Sequence, residues 1–172
     1  MTDTPTPLPD VSFDDLSAPL KKAAANAGWT SLMPVQARAI PNLLAGRNMM
    51  IQARTGSGKT GAFLLPLLEK LDPKKDECQV LILTPTRELA RQVWQDAEVL
   101  LRDSGLRTVP VYGGVGYRDQ LDALKKGAHV VVVVIGGAVA ELGQDGLGVR
   151  EPQRHVDRRD ELRRLATALL GE

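Results

Sequence analysis

Residues 53–60 have the residue types and spacing of a loop that holds phosphate groups. The stretch reads Ala53, Arg54, Thr55, Gly56, Ser57, Gly58, Lys59 and Thr60. Its glycines allow successive backbone N–H groups to curl around an anion. Lys59 can reach outer phosphates as a point charge, and the Thr60 hydroxyl can act as a ligand of Mg²⁺. Although Ala53 replaces the first glycine of the usual pattern, the stretch predicts a site for a phosphorylated ligand with Mg²⁺.

Hydrolysis of a bound phosphate would also need a carboxylate beside the metal ion. Asp76 and Glu77 fall in a predicted loop. Asp160 and Glu161 fall in an arginine-rich helical pattern that no apolar strand precedes, so we interpret them as part of a solvent-exposed helix face. The sequence therefore identifies no catalytic residue, and we expect this chain alone to be inactive as an enzyme.

The elements around the loop alternate between helical patterns and short apolar runs. Helices are predicted over residues 12–29, 33–47, 59–71, 87–103 and 117–127, and strands over 48–53, 78–84, 107–113 and 128–135. Such alternation with continuous apolar strands predicts an α/β fold, a mainly parallel sheet with helices on both faces. The strand over 48–53 leads into the phosphate loop, and the helix over 59–71 follows it.

Several details of these elements are specific enough to test. Ser12 is expected to cap the first helix, and Pro41 to kink or end the second. The strand over 78–84 is expected to be buried on both faces. Leu89, Val93, Ala97 and Leu100 are expected to share one side of the helix over 87–103.

Composition limits the possible partners. The net charge is +1 and aromatic residues make up 3% of the 172 residues, so any nucleic-acid surface must be local and cannot depend mainly on base stacking. The one cysteine, Cys78, fits a reducing cytoplasm. The longest apolar run, residues 130–135, is too short to cross a bilayer. We therefore expect a cytoplasmic protein without a targeting segment or membrane contact.

The character of the chain changes after residue 135. Residues 1–12 are polar and proline-rich and are expected to form a disordered tail. Residues 136–172 contain six arginines, no lysine and no aromatic residue, with one helical pattern over 157–170. We therefore predict a domain over 13–135 followed by an atypical tail.

Three further stretches, together with the phosphate loop, resemble the DEAD-box RNA helicases. The segment "GWTSLMPVQ", residues 28–36, resembles the family's adenine-recognising Q motif, although Leu32 and Met33 depart from it. The segments "PTRELA", beginning at Pro85, and "GG", Gly113 and Gly114, resemble motifs that contact the RNA backbone. The resemblance covers roughly residues 13–134 and implies the first of two RecA-like domains, incomplete here. It also implies ATP and Mg²⁺ as cofactors and RNA as a partner, weakly bound by this chain.

The resemblance assigns adenine contacts to two residues that also have ordinary explanations. The Gln36 carboxamide has a donor and an acceptor that suit adenine, and its alternative is a polar residue on an exposed helix face. Phe13 stands where the family places an aromatic against adenine, and its alternative is an apolar anchor of the first helix.

The residues assigned to RNA have alternatives as well. Thr86 and Arg87, at a predicted helix N-terminus, suit a phosphodiester oxygen, and Thr86 could instead cap that helix, or do both. Gly113 and Gly114 would allow close approach of an RNA backbone, or form a simple turn.

The family's later motifs do not occur. Gly137 stands at the position of an RNA-contacting arginine, and neither Asp-Glu-Ala-Asp nor Ser-Ala-Thr follows. Three explanations for this loss of the family's motifs stay open: a reading-frame shift near Val134, an internal deletion and a natural tail. The interpretation is the ATP-binding domain of a DEAD-box RNA helicase without its hydrolytic motif. The alternatives are a non-catalytic adenine-nucleotide or RNA-binding module and an inactive fragment, and the oligomeric state stays open.

Overall fold

The computed structural model describes residues 6–113 and 117–135, which form five helices and three strands in those ranges. Their order is α1 (Ala18–Asn26), α2 (Pro34–Leu44), α3 (Lys59–Leu67), β1 (Val80–Thr84), α4 (Arg87–Leu100), β2 (Thr108–Val111), α5 (Tyr117–Lys125) and β3 (Val130–Val134). The chain divides into two compact units. The first runs to Asp72 and includes Gln95–Leu106, and the second contains Pro73–Trp94 and the chain from Arg107 onward. The helix predicted over 157–170 lies outside the described residues.

The first unit begins with a turn where a helix was predicted. Ser12 donates from both its N–H and its hydroxyl to the Asp15 carboxylate, at 2.7 Å each, and these bonds hold the pKa of Asp15 below its ordinary value. The helix starts only at Ala18, so the expectation that Ser12 caps it is wrong. Pro19 explains the shift, because a proline has no N–H to donate and its ring clashes with the carbonyl four residues earlier.

Helices α2 and α3 pack against each other in the first unit. Helix α2 continues through Pro41 to Leu44, so the proline does not end it early. Helix α3 contains Pro66 and ends at Leu67, four residues before the predicted end, in a tightened turn in which Leu68 N–H donates to Leu65 O. The apolar residues buried on this pair include Ala39, Ile40, Ala62, Leu64 and Leu65.

Residues 6–11 are held to the first unit by hydrogen bonds, although they were predicted to belong to a disordered tail. Val11 N–H donates to Ala37 O at 3.1 Å, and Leu8 N–H to Asn42 Oδ1 at 3.4 Å. Arg47 donates to Thr6 O at 2.7 Å. Residues 1–5 lie outside the described part of the chain.

The second unit contains a parallel sheet with the strand order β1-β3-β2. Strand β3 is central, and Val130, Val131 and Val132 are completely buried. This agrees with the predicted parallel sheet, because a strand covered on both faces reads as a continuous apolar run.

Two strand predictions are wrong. Residues 48–53 form no strand, and Met50 is 96% exposed. The three described strands pair only with one another, so the apolar run before the phosphate loop has no ladder partner. Strand β1 is not buried on both faces, because Leu81 and Leu83 are 51% and 54% exposed. An apolar run predicts that a strand can be covered, but a second layer of chain must be present to cover it.

The predicted apolar side of α4 is correct except at one residue. Val93, Ala97 and Leu100 are buried as expected, but Leu89 is 38% exposed and Ala90 is fully buried in its place. The buried residues of α4 are thus at positions 90, 93, 97 and 100, and this spacing places them in a narrow stripe along one side of the helix.

Candidate functional site

The phosphate loop lies in the first unit and leads directly into α3. Gly56 and Gly58 adopt φ angles of +75° and +85°, the left-handed region that residues with a side chain rarely adopt. Ser57 N–H donates to Arg54 O at 3.3 Å, and α3 begins at Lys59. The first N–H groups of a helix have no acceptor within it, so this end of α3 offers donors and positive potential to an anion.

Two side chains of the loop indicate what the loop can hold. Lys59 folds back on the loop and donates from Nζ to Ala53 O at 2.5 Å and to Arg54 O at 2.6 Å. The Ser57 hydroxyl is buried and has no hydrogen-bond partner among the described residues. Buried polar atoms are nearly always paired, so an unpaired hydroxyl inside a glycine loop fits an absent polar ligand. These features suit a phosphate group, with the Thr60 hydroxyl, half-buried in the first turn of α3, as a possible Mg²⁺ ligand.

Gln36 connects the start of α2 to the phosphate loop. Its Oε1 accepts from Met33 N–H at 2.9 Å, and its Nε2 donates to Gly58 O at 3.2 Å. The side chain is 2% exposed, so the alternative of a polar residue on an exposed helix face is wrong. One donor hydrogen and one acceptor lone pair of the carboxamide are not used by these two bonds. Adenine recognition by Gln36 stays a prediction.

Trp29, which the sequence suggests is a packing residue, and two glycines whose packing role was not predicted hold this contact. A Cβ at Gly61 would clash with the Trp29 ring and lie 2.8 Å from Gln36 Nε2. A Cβ at Gly58 would lie 2.7 Å from the same nitrogen. The sequence signal for this packing was the close spacing of Gly58 and Gly61, with Trp29 upstream. Phe13 is half-buried in the turn before α1, and its contact with adenine also stays a prediction.

The residues predicted to contact RNA lie in the second unit, at the C-terminal ends of β1 and β2. Pro85 and Thr86 form the exposed link between β1 and α4. Thr86 Oγ1 accepts from Leu89 N–H at 3.2 Å, so the predicted helix cap is formed. Exposed Arg87 begins α4, with its guanidinium carbon 5.4 Å from the centre of the Tyr112 ring.

Tyr112, which follows β2, is fixed by a residue that the sequence analysis did not single out. Gln120 of α5 accepts from Tyr112 N–H at 3.0 Å and donates to Tyr112 O at 3.1 Å. These two hydrogen bonds position the turn that contains Gly113. Gly113 is exposed, and a Cβ added there would lie in open space, with no neighbouring atom within 4 Å. Gly114 lies outside the described residues.

Neither a metal centre nor a membrane span is found in the described ranges. Within residues 6–113 and 117–135, no group of three or more His, Cys, Asp or Glu side chains is arranged to hold a metal ion. None of the helices described is both long enough and apolar enough to traverse a bilayer. Asp76, one of the acidic residues weighed as a carboxylate for hydrolysis, forms an ion pair with Arg107.

A glycine loop that precedes a helix, with a parallel sheet in the same chain, defines the class of α/β proteins with a phosphate loop. The model of the DEAD/DEAH box helicase family matches residues 33–162, and this chain belongs to that family. The match continues past Val134, where the recognisable motifs end, and reaches the segment that contains Asp160 and Glu161.

Curated relatives and solved structures agree with this assignment. The chain is 41% identical to the ATP-dependent RNA helicase DeaD of Haemophilus influenzae over 159 residues, covering 90% of this chain and 26% of the relative. Identity to DeaD of Escherichia coli K12 is also 41%, over 91% of this chain and 25% of the relative. A crystal structure of a DEAD box protein from Methanococcus jannaschii matches with a TM-score of 0.68 and 35% identity, covering 81% of this chain and 39% of that one.

The RNA helicase Prp28 of Chaetomium thermophilum, solved with bound ADP, matches with a TM-score of 0.67 and 34% identity. The match covers 86% of this chain and 37% of that protein. These matches show the predicted RecA-like α/β fold, with an incomplete sheet in the part described here. The chain spans about a quarter of the length of the curated relatives it matches.

Proposed function

We propose that this chain is an ATP-binding domain of a DEAD-box RNA helicase, and that its phosphate loop binds adenine nucleotides with Mg²⁺. The observation that carries the proposal is the arrangement of the loop itself. Two left-handed glycines flank Ser57 just before the N-terminus of α3, and the buried Ser57 hydroxyl has no hydrogen-bond partner in the described part of the chain. Family membership and the similarity to an ADP-bound helicase support the choice of nucleotide.

Each residue of the loop has a distinct part in the proposed binding. The N–H groups from Gly56 to Thr60 would donate to phosphate oxygens, and Thr60 would hold the Mg²⁺ ion that neutralises their charge. Lys59 would exchange its bonds to Ala53 O and Arg54 O for bonds to phosphate. Those carbonyls are neutral whereas phosphate oxygens carry negative charge, so the exchange would give the Lys59 ammonium acceptors that attract it more strongly.

The second unit is proposed to contact the backbone of RNA. Thr86 and Arg87 are exposed beside the N-terminus of α4, where phosphodiester oxygens would meet both a hydroxyl and a positive charge. Such contacts carry affinity without sequence preference. The rest of the relatives' length would be needed for unwinding, so this chain is proposed to bind RNA weakly.

Replacement of Lys59 tests the nucleotide site. Lys59→Ala should weaken ATP and ADP binding roughly ten- to more than a hundredfold, because a lost charge-assisted bond is worth about 1.5–3 kcal/mol. Isothermal titration with Mg²⁺ present measures the affinities, and urea unfolding verifies that the variant is folded. The matched control is Lys22→Ala, which removes an exposed lysine of α1 in the same unit. Equal affinity in the Lys59 variant and the parent would refute the phosphate-loop assignment.

A non-catalytic binding module is the second candidate, and the absence of an Asp-Glu-Ala-Asp segment from the sequence favours it for this chain. Neither candidate predicts turnover by this chain. A helicase domain is expected to bind both ATP and RNA, whereas a binding module is expected to bind only one of them, so parallel titrations with ATP and with RNA separate the two candidates.

A further inference from the structure

The C-terminal ends of β1 and β2 bring an arginine and a tyrosine together. Both strands run parallel to the central strand β3, and their last residues lie beside Val134 and Val133 of that strand. The chain therefore leaves β1 and β2 at the same end of the sheet. Arg87, which begins α4, and Tyr112, which follows β2, meet there, with the guanidinium carbon over the ring and 5.4 Å from its centre.

The backbone of Tyr112 is held on both sides by one side chain. Gln120 of α5 accepts from Tyr112 N–H at 3.0 Å and donates to Tyr112 O at 3.1 Å. A carboxamide that bonds the N–H and the C=O of one residue leaves that residue little freedom to rotate. The half-buried Tyr112 ring therefore extends from a backbone that α5 fixes in place.

The contact with Tyr112 is compatible with a second contact of the same guanidinium. A cation that lies within roughly 6 Å of the centre of an aromatic ring is attracted to the face of the ring. The N–H donors of a guanidinium point outward in its own plane, so a ring below that plane does not use them. Exposed Arg87 can thus rest on Tyr112 and still offer a fork of donors to a phosphate.

Holding Arg87 in advance lowers the cost of binding. An exposed arginine side chain samples many rotamers, and immobilising it against a phosphate loses that conformational entropy. A ring that already restricts the guanidinium removes part of this loss before RNA arrives. Such a ring would raise RNA affinity without touching RNA itself.

We infer that Tyr112 and Gln120 are positioning residues for RNA binding: Tyr112 holds the Arg87 guanidinium, and Gln120 holds Tyr112. The inference rests on the proposed contact between Arg87 and the RNA backbone. Tyr112 precedes the "GG" segment and Gln120 follows it, so both lie outside the segments that resemble RNA-contacting motifs.

A double-mutant cycle on the 172-residue chain tests the role of Tyr112. Fluorescence anisotropy with labelled single-stranded oligouridylate at low salt measures the dissociation constants of the parent, Arg87→Ala, Tyr112→Leu and the double variant. Tyr112→Leu should raise the dissociation constant roughly two- to tenfold, the cost of immobilising one long side chain. In the Arg87→Ala background it should cause no further rise. Tyr112→Phe, which keeps the ring, should bind RNA like the parent.

The outcomes separate this inference from the proposed function. Losses that multiply in the double variant would show that Tyr112 contacts RNA itself and would overturn the inference. A Tyr112→Leu variant with the parent's affinity, or a Tyr112→Phe variant as weak as Tyr112→Leu, would overturn it as well. Arg87→Ala with the parent's affinity would instead contradict the proposed contact with RNA, and the inference with it.

Gln120→Ala tests the second step and replaces Tyr112→Leu if urea unfolding shows that the leucine variant is not folded. It should raise the dissociation constant roughly two- to tenfold in the parent, and by a factor at least about twofold smaller in the Arg87→Ala background. Gln95→Ala, which truncates an exposed glutamine of α4, is the control and should bind like the parent. Equal factors in the two backgrounds, or no loss in Gln120→Ala, would refute the role of Gln120.

Discussion

At the scale of single residues, Gln36 combines a structural role with a predicted role in adenine recognition. A carboxamide on an open surface could be removed with little effect on stability, but this one is buried and bonded to Met33 N–H and Gly58 O. Gly58 belongs to the phosphate loop, so the position of that loop depends on the same side chain that is predicted to read adenine. A change at Gln36 should therefore alter both stability and nucleotide choice.

Gln36→Ala should lower the free energy of unfolding by about 1–3 kcal/mol, because it leaves buried polar groups without a partner. It should also narrow the preference for ATP over GTP. Urea unfolding and titration with both nucleotides measure these effects.

The control for this change is Gln52→Ala, which truncates an exposed glutamine just before the loop. Gln52→Ala should change neither the free energy of unfolding nor the preference for ATP over GTP. A Gln36→Ala variant with the parent's stability would contradict the buried bonding, and a parent that binds ATP and GTP equally would contradict adenine recognition.

At the scale of elements, the junction between β1 and α4 combines a structural role with a predicted binding role. The Thr86 hydroxyl accepts from Leu89 N–H, so it is already used as a helix cap. Arg87 is exposed and lies near the Tyr112 ring, whose backbone Gln120 fixes. The guanidinium is therefore the group of this junction that is best placed to neutralise a phosphate without disturbing the helix.

Arg87→Ala should weaken RNA binding by a similar factor for different sequences. It should also reduce the slope of log affinity against log salt concentration by about one, as expected for one lost phosphate contact. Fluorescence anisotropy with single-stranded RNA at several salt concentrations measures both effects.

Arg91→Ala provides a matched comparison, because Arg91 is an exposed arginine one turn farther along α4. Its salt slope should equal that of the parent. Equal losses in the two variants would indicate that general charge, and not the junction, determines RNA affinity.

The elements also show what sequence patterns can and cannot predict. The five helices and the three strands of the sheet were located, because each has a complete local pattern of apolar residues and breakers. The strand over 48–53 was not formed, since a strand needs a neighbour to pair with and its own residues do not supply one. The late start of α1 could have been predicted from Pro19. The burial of Gln36 could not, because it depends on a contact with Gly58, 22 residues farther along the chain.

At the scale of the whole molecule, the chain joins a well-defined phosphate loop to an incomplete sheet. The loop and the RNA-contacting candidates lie in different compact units, each with its own hydrogen bonds. Binding of nucleotide and binding of RNA can therefore be measured separately. Hydrolysis places a stricter demand on the chain, because it needs groups that neither set of residues contains.

We predict that the 172-residue chain shows neither RNA-stimulated ATP hydrolysis nor RNA unwinding, even where it binds ATP. Hydrolysis requires a metal ion held by a carboxylate, an oriented water and positive charge on the transferred phosphoryl group. Lys59 and Thr60 supply part of this set, but the sequence offers only Asp160 and Glu161 as an adjacent pair of acids within the family match after the described ranges. Phosphate release with and without RNA measures the rate. A rate that RNA raises and Glu161→Gln removes would show that this pair is catalytic, whereas a rate that survives Glu161→Gln but is lost in Lys59→Ala would place the carboxylate elsewhere. Either outcome would contradict the prediction.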